Sequence, residues 1–321
     1  HIILFLTLMN QEATLQVLIV PLWVLTLTIP ILISVLLMIL SSLIVFGYNK
    51  LIKKDHPPIG QKLREKRSGW SKSKKDSLRK LNHVLIFIGL LVVWYVGLYL
   101  VQTYTGSSTG MIPEENNMLL LYLRLLTEPD SIFEVLFLLG WFYYLLFFFF
   151  YVLSVFMLIN EFTRKSKKLS FPFTFFTKIY LSDKEHENYG TYLFFSIGQM
   201  FAAFISPPMI FFAILGISSI SDLMASQIGI RFGKKHIGWN KKKTWEGTAA
   251  GAITTFIVCF LFVGINWSLI FTIAFLVFDI ITNKPINLSD NLLIPIGCSL
   301  IYILVRFFFS LDYYTILLFW I

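Results

Sequence analysis

The feature that most constrains this chain is its repeated apolar runs, close to a membrane thickness long and separated by basic loops. "ILISVLLMILSSLIVFGY", "HVLIFIGLLVVWYVGLYLV" and "GAITTFIVCFLFVGI" carry no ionisable side chain beyond one histidine, one cysteine and the tyrosines. A bilayer core of about 30 Å takes roughly 20 helical residues to cross. In that medium every backbone N–H and C=O needs an internal partner, so only helices or closed barrels can span it. Period-two alternation, which a barrel requires, is absent, so helices are expected. The hydrophobic fraction of 56% exceeds the roughly 45–50% of soluble domains, and the mean hydropathy is +0.73. The expected fold is therefore an all-α polytopic bundle of roughly 8 membrane helices.

Helices are expected over 14–48 (with Pro21 or Pro30 as candidate breaks), 83–103, 131–160, 190–205, 207–222, 247–264, 266–281 and 290–309. Three regions follow: an N-terminal helix with a basic loop over 1–82, helices and loops over 83–188, and a membrane core over 189–321. No cleavable signal peptide is evident, and Met9 in "MNQEA" is the expected start, with residues 1–8 an artefact. Cys259 and Cys298 lie in apolar runs and read as small core residues, neither a disulfide nor a metal site.

Charge placement sets the expected topology. Of 27 Lys and Arg, 12 fall in 49–82, 6 in 161–189 and 6 in 223–246. The 104–130 loop instead carries Glu114, Glu115, Glu128 and Asp130 against Arg124. Strict alternation puts 49–82, 161–189, 223–246 and 282–289 together in the cytoplasm, as the positive-inside rule requires. Topology and anionic-lipid attraction account for most of these cations. No nucleic-acid partner is expected.

Within the basic regions some residues form chemical patterns. Asp222, Ala225, Ser226, Gly229 and Gly233 recur at helical spacing and share one face. Such a face admits a second helix or a ligand close to the backbone. Asp222 at the end of an apolar helix is costly there and points to function. "GKK" at 233–235 is no P-loop, because the four-residue glycine spacing and the Ser or Thr after Lys are missing. In "KKKTWEG", Thr244 is placed to cap a helix whose N-terminus favours an anion. Lys243 stands outside that start and Glu246 in its first turn. These are parts of a metal–phosphate site or, equally, of a snorkelling basic cuff. "RKLNH" places Arg79, Lys80 and His83 at the mouth of the second helix. "SDNLLIP" places Asp290 and Asn291 at the start of the last one. Asp279 interrupts "FLVFDII" as another intramembrane acid.

The order "RKLNH", "SDLMASQIGIRFGKK", "KKTWEG", "SDNLLIP" resembles the CTP-dependent lipid kinase family that includes dolichol kinase, phytol kinase and the CTP-using diacylglycerol kinase. It is similar, more distantly, to phosphatidate cytidylyltransferase. The resemblance covers mainly 79–83 and 189–305. Asp222, Ala225, Ser226 and Gly229 match the family's Asp-x-x-Ala-Ser-x-x-Gly helix. Lys243, Thr244, Glu246 and Gly247 match its Lys-Thr-x-Glu-Gly segment, and Asp290 with Asn291 its Asp-Asn. Ser221, Asp279 and Ser289 depart from the usual Gly, Glu and Asp. Trp245 is more typical of the cytidylyltransferases, but their C-terminal His-Gly-Gly is absent, and Arg79 with His83 favours the kinases.

The resemblance implies a membrane kinase moving the γ-phosphoryl group of CTP to a lipid alcohol such as a polyprenol, with Mg²⁺ and 189–321 as catalytic core. It implies Asp222, Lys243, Glu246 and Asp290 as catalytic residues, with Asp222 and Asp290 also holding the metal. Arg79, Lys80, His83, Ser226, Gly229, Gly233, Lys234, Thr244, Gly247 and Asn291 would bind the nucleotide. A cytidylyltransferase is the alternative from the same group, and a transporter or structural membrane protein the alternative from another class. The internal repeat that a transporter commonly shows is not seen.

Overall fold

The computed structural model describes residues 15–51, 69–106, 141–166, 169–174, 189–282, 285–286, 288–314 and 316–318. The acidic loop from 107 on, 52–68 of the first basic loop and 175–188 of the second lie outside the described residues. The regular elements are α1 (Leu15–Leu51), α2 (Lys72–Thr105), α3 (Trp141–Lys165), α4 (Thr191–Ile205) and α5 (Pro208–Gly216). A π turn (Ile217–Ser221) leads into α6 (Asp222–Phe232), followed by α7 (Trp245–Ile281) and α8 (Asp290–Phe309). Among the described residues every regular element is helical, and six helical segments are long and apolar enough to cross a membrane. At 15 residues, α4 is a shorter apolar helix.

Several boundaries differ from expectation, each for a local reason. Neither Pro21 nor Pro30 breaks α1. The second helix begins at Lys72, eleven residues before the expected 83, because Ser71 caps it by accepting the Lys74 N–H at 3.3 Å. Arg79, Lys80 and His83 therefore lie on the helix itself. The segment expected to end at 222 continues through the π turn to Phe232, so Asp222 sits inside a longer span. The third described helix begins at Trp141, and residues 131–140 of its expected range lie outside the described residues.

The two helices expected over 247–264 and 266–281 form one segment, α7, broken at Gly264 (φ 78°, ψ −179°). A straight helix would put residues 248 and 279 about 46 Å apart at 1.5 Å per residue. Thr248 Oγ1 nevertheless donates to Asp279 Oδ2 over 2.5 Å. One turn on, a Cβ on Gly251 would stand 2.6 Å from the Phe275 ring. The two arms thus fold back on each other as an antiparallel hairpin. Gly264 is needed at the bend, since its φ lies where side chains are strained and a Cβ would meet the Tyr314 ring at 2.8 Å.

At the centre stands α5, with all nine residues buried. Against it pack Trp94 of α2 and Phe262 of α7, at ring-centroid distances of 5.5 and 6.1 Å from Phe212. The segment from α5 to α6 runs antiparallel to α2 in a single register. A Cβ on Gly216 would lie 3.5 Å from the Phe87 ring, Lys80 pairs with Asp222, Asp76 accepts from Ser226, and Ser73 donates to Gln227. α6 meets the first arm of α7 across a seam of small residues. A Cβ on Gly247 would stand 2.5 Å from the Ala225 carbonyl oxygen and 2.9 Å from Gly229 Cα. The small-residue face read from the sequence is thus in part a helix-packing face.

Candidate functional site

One end of this bundle gathers ionisable side chains from α2, α6, the 233–244 loop, α7 and α8. Lys80, on the α2 face turned to α6, donates to the Asp222 carboxylate at 2.7 Å and to its backbone carbonyl at 2.8 Å. Both residues are buried. Lys243 donates to Asp279 at 2.5 Å and Asp290 at 3.1 Å, which ties the loop to the second arm of α7 and to α8. The remaining oxygens are also engaged, Asp279 Oδ2 by Thr248 and Asp290 Oδ1 by the Asn291 N–H at 3.1 Å. Burial alone would push the Lys243 ammonium below its ordinary value. The carboxylates of Asp290, Asp279 and Asp222 outweigh that and hold it well above.

The loop reaches this position through its own bonds. Asn240 Nδ2 donates to the carbonyls of Ile280 and Thr282, at 3.1 and 2.6 Å, while Ile237 is fully buried. The Ile237 N–H donates to the Lys243 carbonyl and the Trp245 N–H to that of Lys235. Thr244 caps α7 as expected, its Oγ1 accepting the Gly247 N–H at 3.2 Å. Since the Trp245, Gly247 and Thr248 N–H groups all find protein partners, the expected anion cradle at this helix start is filled from within. Thr244 takes the Gly247 and Thr248 N–H groups with its side chain and carbonyl, and the returning loop takes that of Trp245 through the Lys235 carbonyl.

Lys80, Lys243, Thr244, Thr248, Asp279 and Asp290 border a cavity of about 1090 Å³. Of the residues predicted from sequence, Arg79, Lys80, Ser226, Gly229, Gly233, Lys243, Thr244, Gly247 and Asp290 line it. Five Lys or Arg side chains against three Asp make the lining net cationic, which favours an anionic ligand.

Asp222, Glu246, His83, Lys234 and Asn291 are not in that lining. Asp222 lies behind Lys80 and, through that ion pair, supports the wall. The Glu246 carboxylate accepts the Lys235 N–H at 3.2 Å and so holds the loop. His83 is buried with its ring stacked on Phe195 at 3.8 Å, and its Nδ1 has no hydrogen-bond partner among the described residues. Lys234 is exposed and Asn291 buried. Asp222 and Asp290, the pair expected to share a metal, are each covered by a different ammonium. No group of three or more His, Cys, Asp or Glu placed to hold a metal is found among the described residues.

Sequence reading missed Asp76 and Glu161. Asp76 lines the cavity, accepting from Arg79 at 2.9 Å and from Ser226 at 2.5 Å. Its signal was the spacing Asp76–Arg79, one helical turn before "RKLNH". Glu161, paired with Arg164 in the interior, also accepts the Gly190 N–H and the Tyr192 hydroxyl. It thereby fixes the start of α4, whose neighbours Tyr189, Thr191 and Phe194 form the cavity's less polar wall. An acid three residues before an Arg at the end of an apolar run was the available sign. No protein-family model, curated protein or solved structure matches this chain.

Proposed function

We propose that this protein is a membrane enzyme that transfers the γ-phosphoryl group of CTP to a lipid alcohol, at the cytoplasmic face of an eight-span bundle. The observation that carries the reading is the meeting, at one cavity, of Lys80–Asp222 with Lys243–Asp279–Asp290. The four motifs that resemble the CTP-dependent lipid kinases span residues 79 to 295, and these contacts bring residues of each to one place. Phosphoryl transfer asks chiefly for positioning and charge neutralisation, and a net cationic cavity at the end of an apolar bundle supports both. The volume lies at the upper end of the roughly 300–1,000 Å³ of small-ligand pockets, room enough for a nucleotide beside an acceptor headgroup.

Magnesium is commonly held by one or two carboxylates together with substrate phosphates. Asp290 and Asp279 reach the cavity where Asp222 does not, but the Lys243 ammonium now binds both, so an ion held by them would have to take its place beside them. When bound, the ion would neutralise polyphosphate charge. Lys243 orients both carboxylates and presents its own ammonium. Lys80, fixed by Asp222, adds a second, buried cation. Tyr189, Thr191 and Phe194 offer a less polar side to the acceptor, whose tail stays among the helices.

The test supplies γ- and α-labelled CTP to the purified protein with a panel of lipid alcohols and phosphatidate. Label moving from the γ position to a lipid phosphate, with CDP released, is the expected result. Pyrophosphate with a CDP-lipid would instead establish the cytidylyltransferase reading, which Trp245 favours. Absence of either product across the panel would leave a non-enzymatic membrane protein.

A further inference from the structure

The 233–244 loop is built to lie flat across the helix ends and to turn cations and aromatics outward. Its inward groups are Ile237 and Asn240, both essentially inaccessible, the latter tied to the end of the second α7 arm. Internal bonds from Ile237 to Lys243, Asn240 to Ile237, Lys243 to Asn240 and Trp245 to Lys235 keep it in that shape. Lys234, Lys235, His236, Lys241 and Lys242 are exposed on it. So are Trp239, at 57%, and the flanking Phe232 and Trp245, at 67% and 48%. The one acid within residues 232–246, Glu246, is engaged by the Lys235 N–H.

We propose that this loop is a docking surface for the headgroups of anionic phospholipids, seating the cavity mouth at headgroup depth. Phe232 ends one membrane-length segment and Trp245 begins the next. A loop folded flat between them therefore sits at the level where aromatic side chains anchor helices. Cations at that level attract anionic lipid. A site for a soluble polyphosphate alone would give the outward cations the same use but leave Trp239 and Phe232 exposed to water without one. His236 and Lys241 also line the cavity, so the lip and the lipid surface are continuous. This inference does not depend on the identity of the reaction.

The test places a nitroxide at position 239 through Trp239→Cys, the native Cys259 and Cys298 both being buried. The protein is studied in nanodiscs of phosphatidylcholine with or without phosphatidylserine. Expected results are a label at headgroup depth, shielded from aqueous relaxants, and selective retention of phosphatidylserine by the purified protein. Replacing Lys234, Lys235 and Lys241 with Gln should weaken that retention roughly fivefold per lysine. A label fully open to bulk water, or retention unchanged in the triple variant, overturns the proposal. So does a label whose mobility responds to tripolyphosphate and not to phosphatidylserine. No step uses CTP turnover, so these outcomes are separate from the kinase assay.

Discussion

Lys243 and Lys80 look alike in sequence, yet their surroundings give them different duties. Lys243 borders the cavity with its side chain 17% exposed, between Asp279 and Asp290. Lys243→Met should lower turnover on the order of 10²–10⁴, as for other preorganised charges, with a cooperative thermal transition in detergent that persists at a lower temperature because Asp279 and Asp290 lose their shared counter-charge. Asp222 lies behind Lys80, and Asp222→Asn removes one partner of a buried pair. It should cost about 3–5 kcal/mol in stability, with Lys80→Met partly rescuing it in the double variant because the pair is coupled. A variant as stable as the parent would show that the pair is not buried as described. The pH dependence has a definite sign. The folded Lys243 value lies above the ordinary 10.5, so its contribution is complete below 10.5 and is lost only as pH rises through the higher folded value. The difference in melting temperature between parent and Lys243→Met should stay flat from about pH 6 to 9.

At the scale of elements, the cavity depends on seams and anchors distant from its charges. The α6–α7 crossing places Gly247 against Ala225 and Gly229 so closely that a side chain has no room. Gly247→Val should destabilise by roughly 1–3 kcal/mol through overpacking, read as a lower melting temperature. The Glu161 carboxylate joins α3 to the start of α4 through Arg164, Gly190 and Tyr192. Glu161→Gln leaves a buried guanidinium without its countercharge and should cost about 3–5 kcal/mol. Proteolysis at 189–191 should quicken in that variant, since the Gly190 anchor weakens. Unchanged cleavage would assign Glu161 to stability alone.

Over the whole molecule, the antiparallel register of α2 with the α5–α6 segment puts the starts of α2, α7 and α8 and the end of α6 at one end of the bundle. Single cysteines at 74 and 235 should therefore react with an impermeant reagent from the same side of a sealed vesicle. Labelling from opposite sides would dissolve the shared site. The described parts of two basic segments, Arg79 and Lys80 of α2 and Lys241 to Lys243 of the 233–244 loop, thus line the same cavity.

What the sequence determined by itself follows from solvent physics. Long uncharged apolar runs require helices, and helix-spaced small residues require a close neighbour. An acid such as Asp222 or Asp279 inside an apolar run requires a partner. The turn near 264 was legible for the same reason, as a place where two apolar runs had to part. Which partner each group takes was decided only by tertiary structure, because an ion pair depends on distances between segments remote in the chain. Lys80 chose Asp222, and Lys243 chose Asp279 and Asp290. Thr244 spent its hydroxyl on its own helix, and Glu246 turned to the Lys235 backbone. Gly229 and Gly247, open to a ligand or a helix in the sequence, face each other because the 233–244 loop turns the chain back at the end of α6 and lays the first arm of α7 against it.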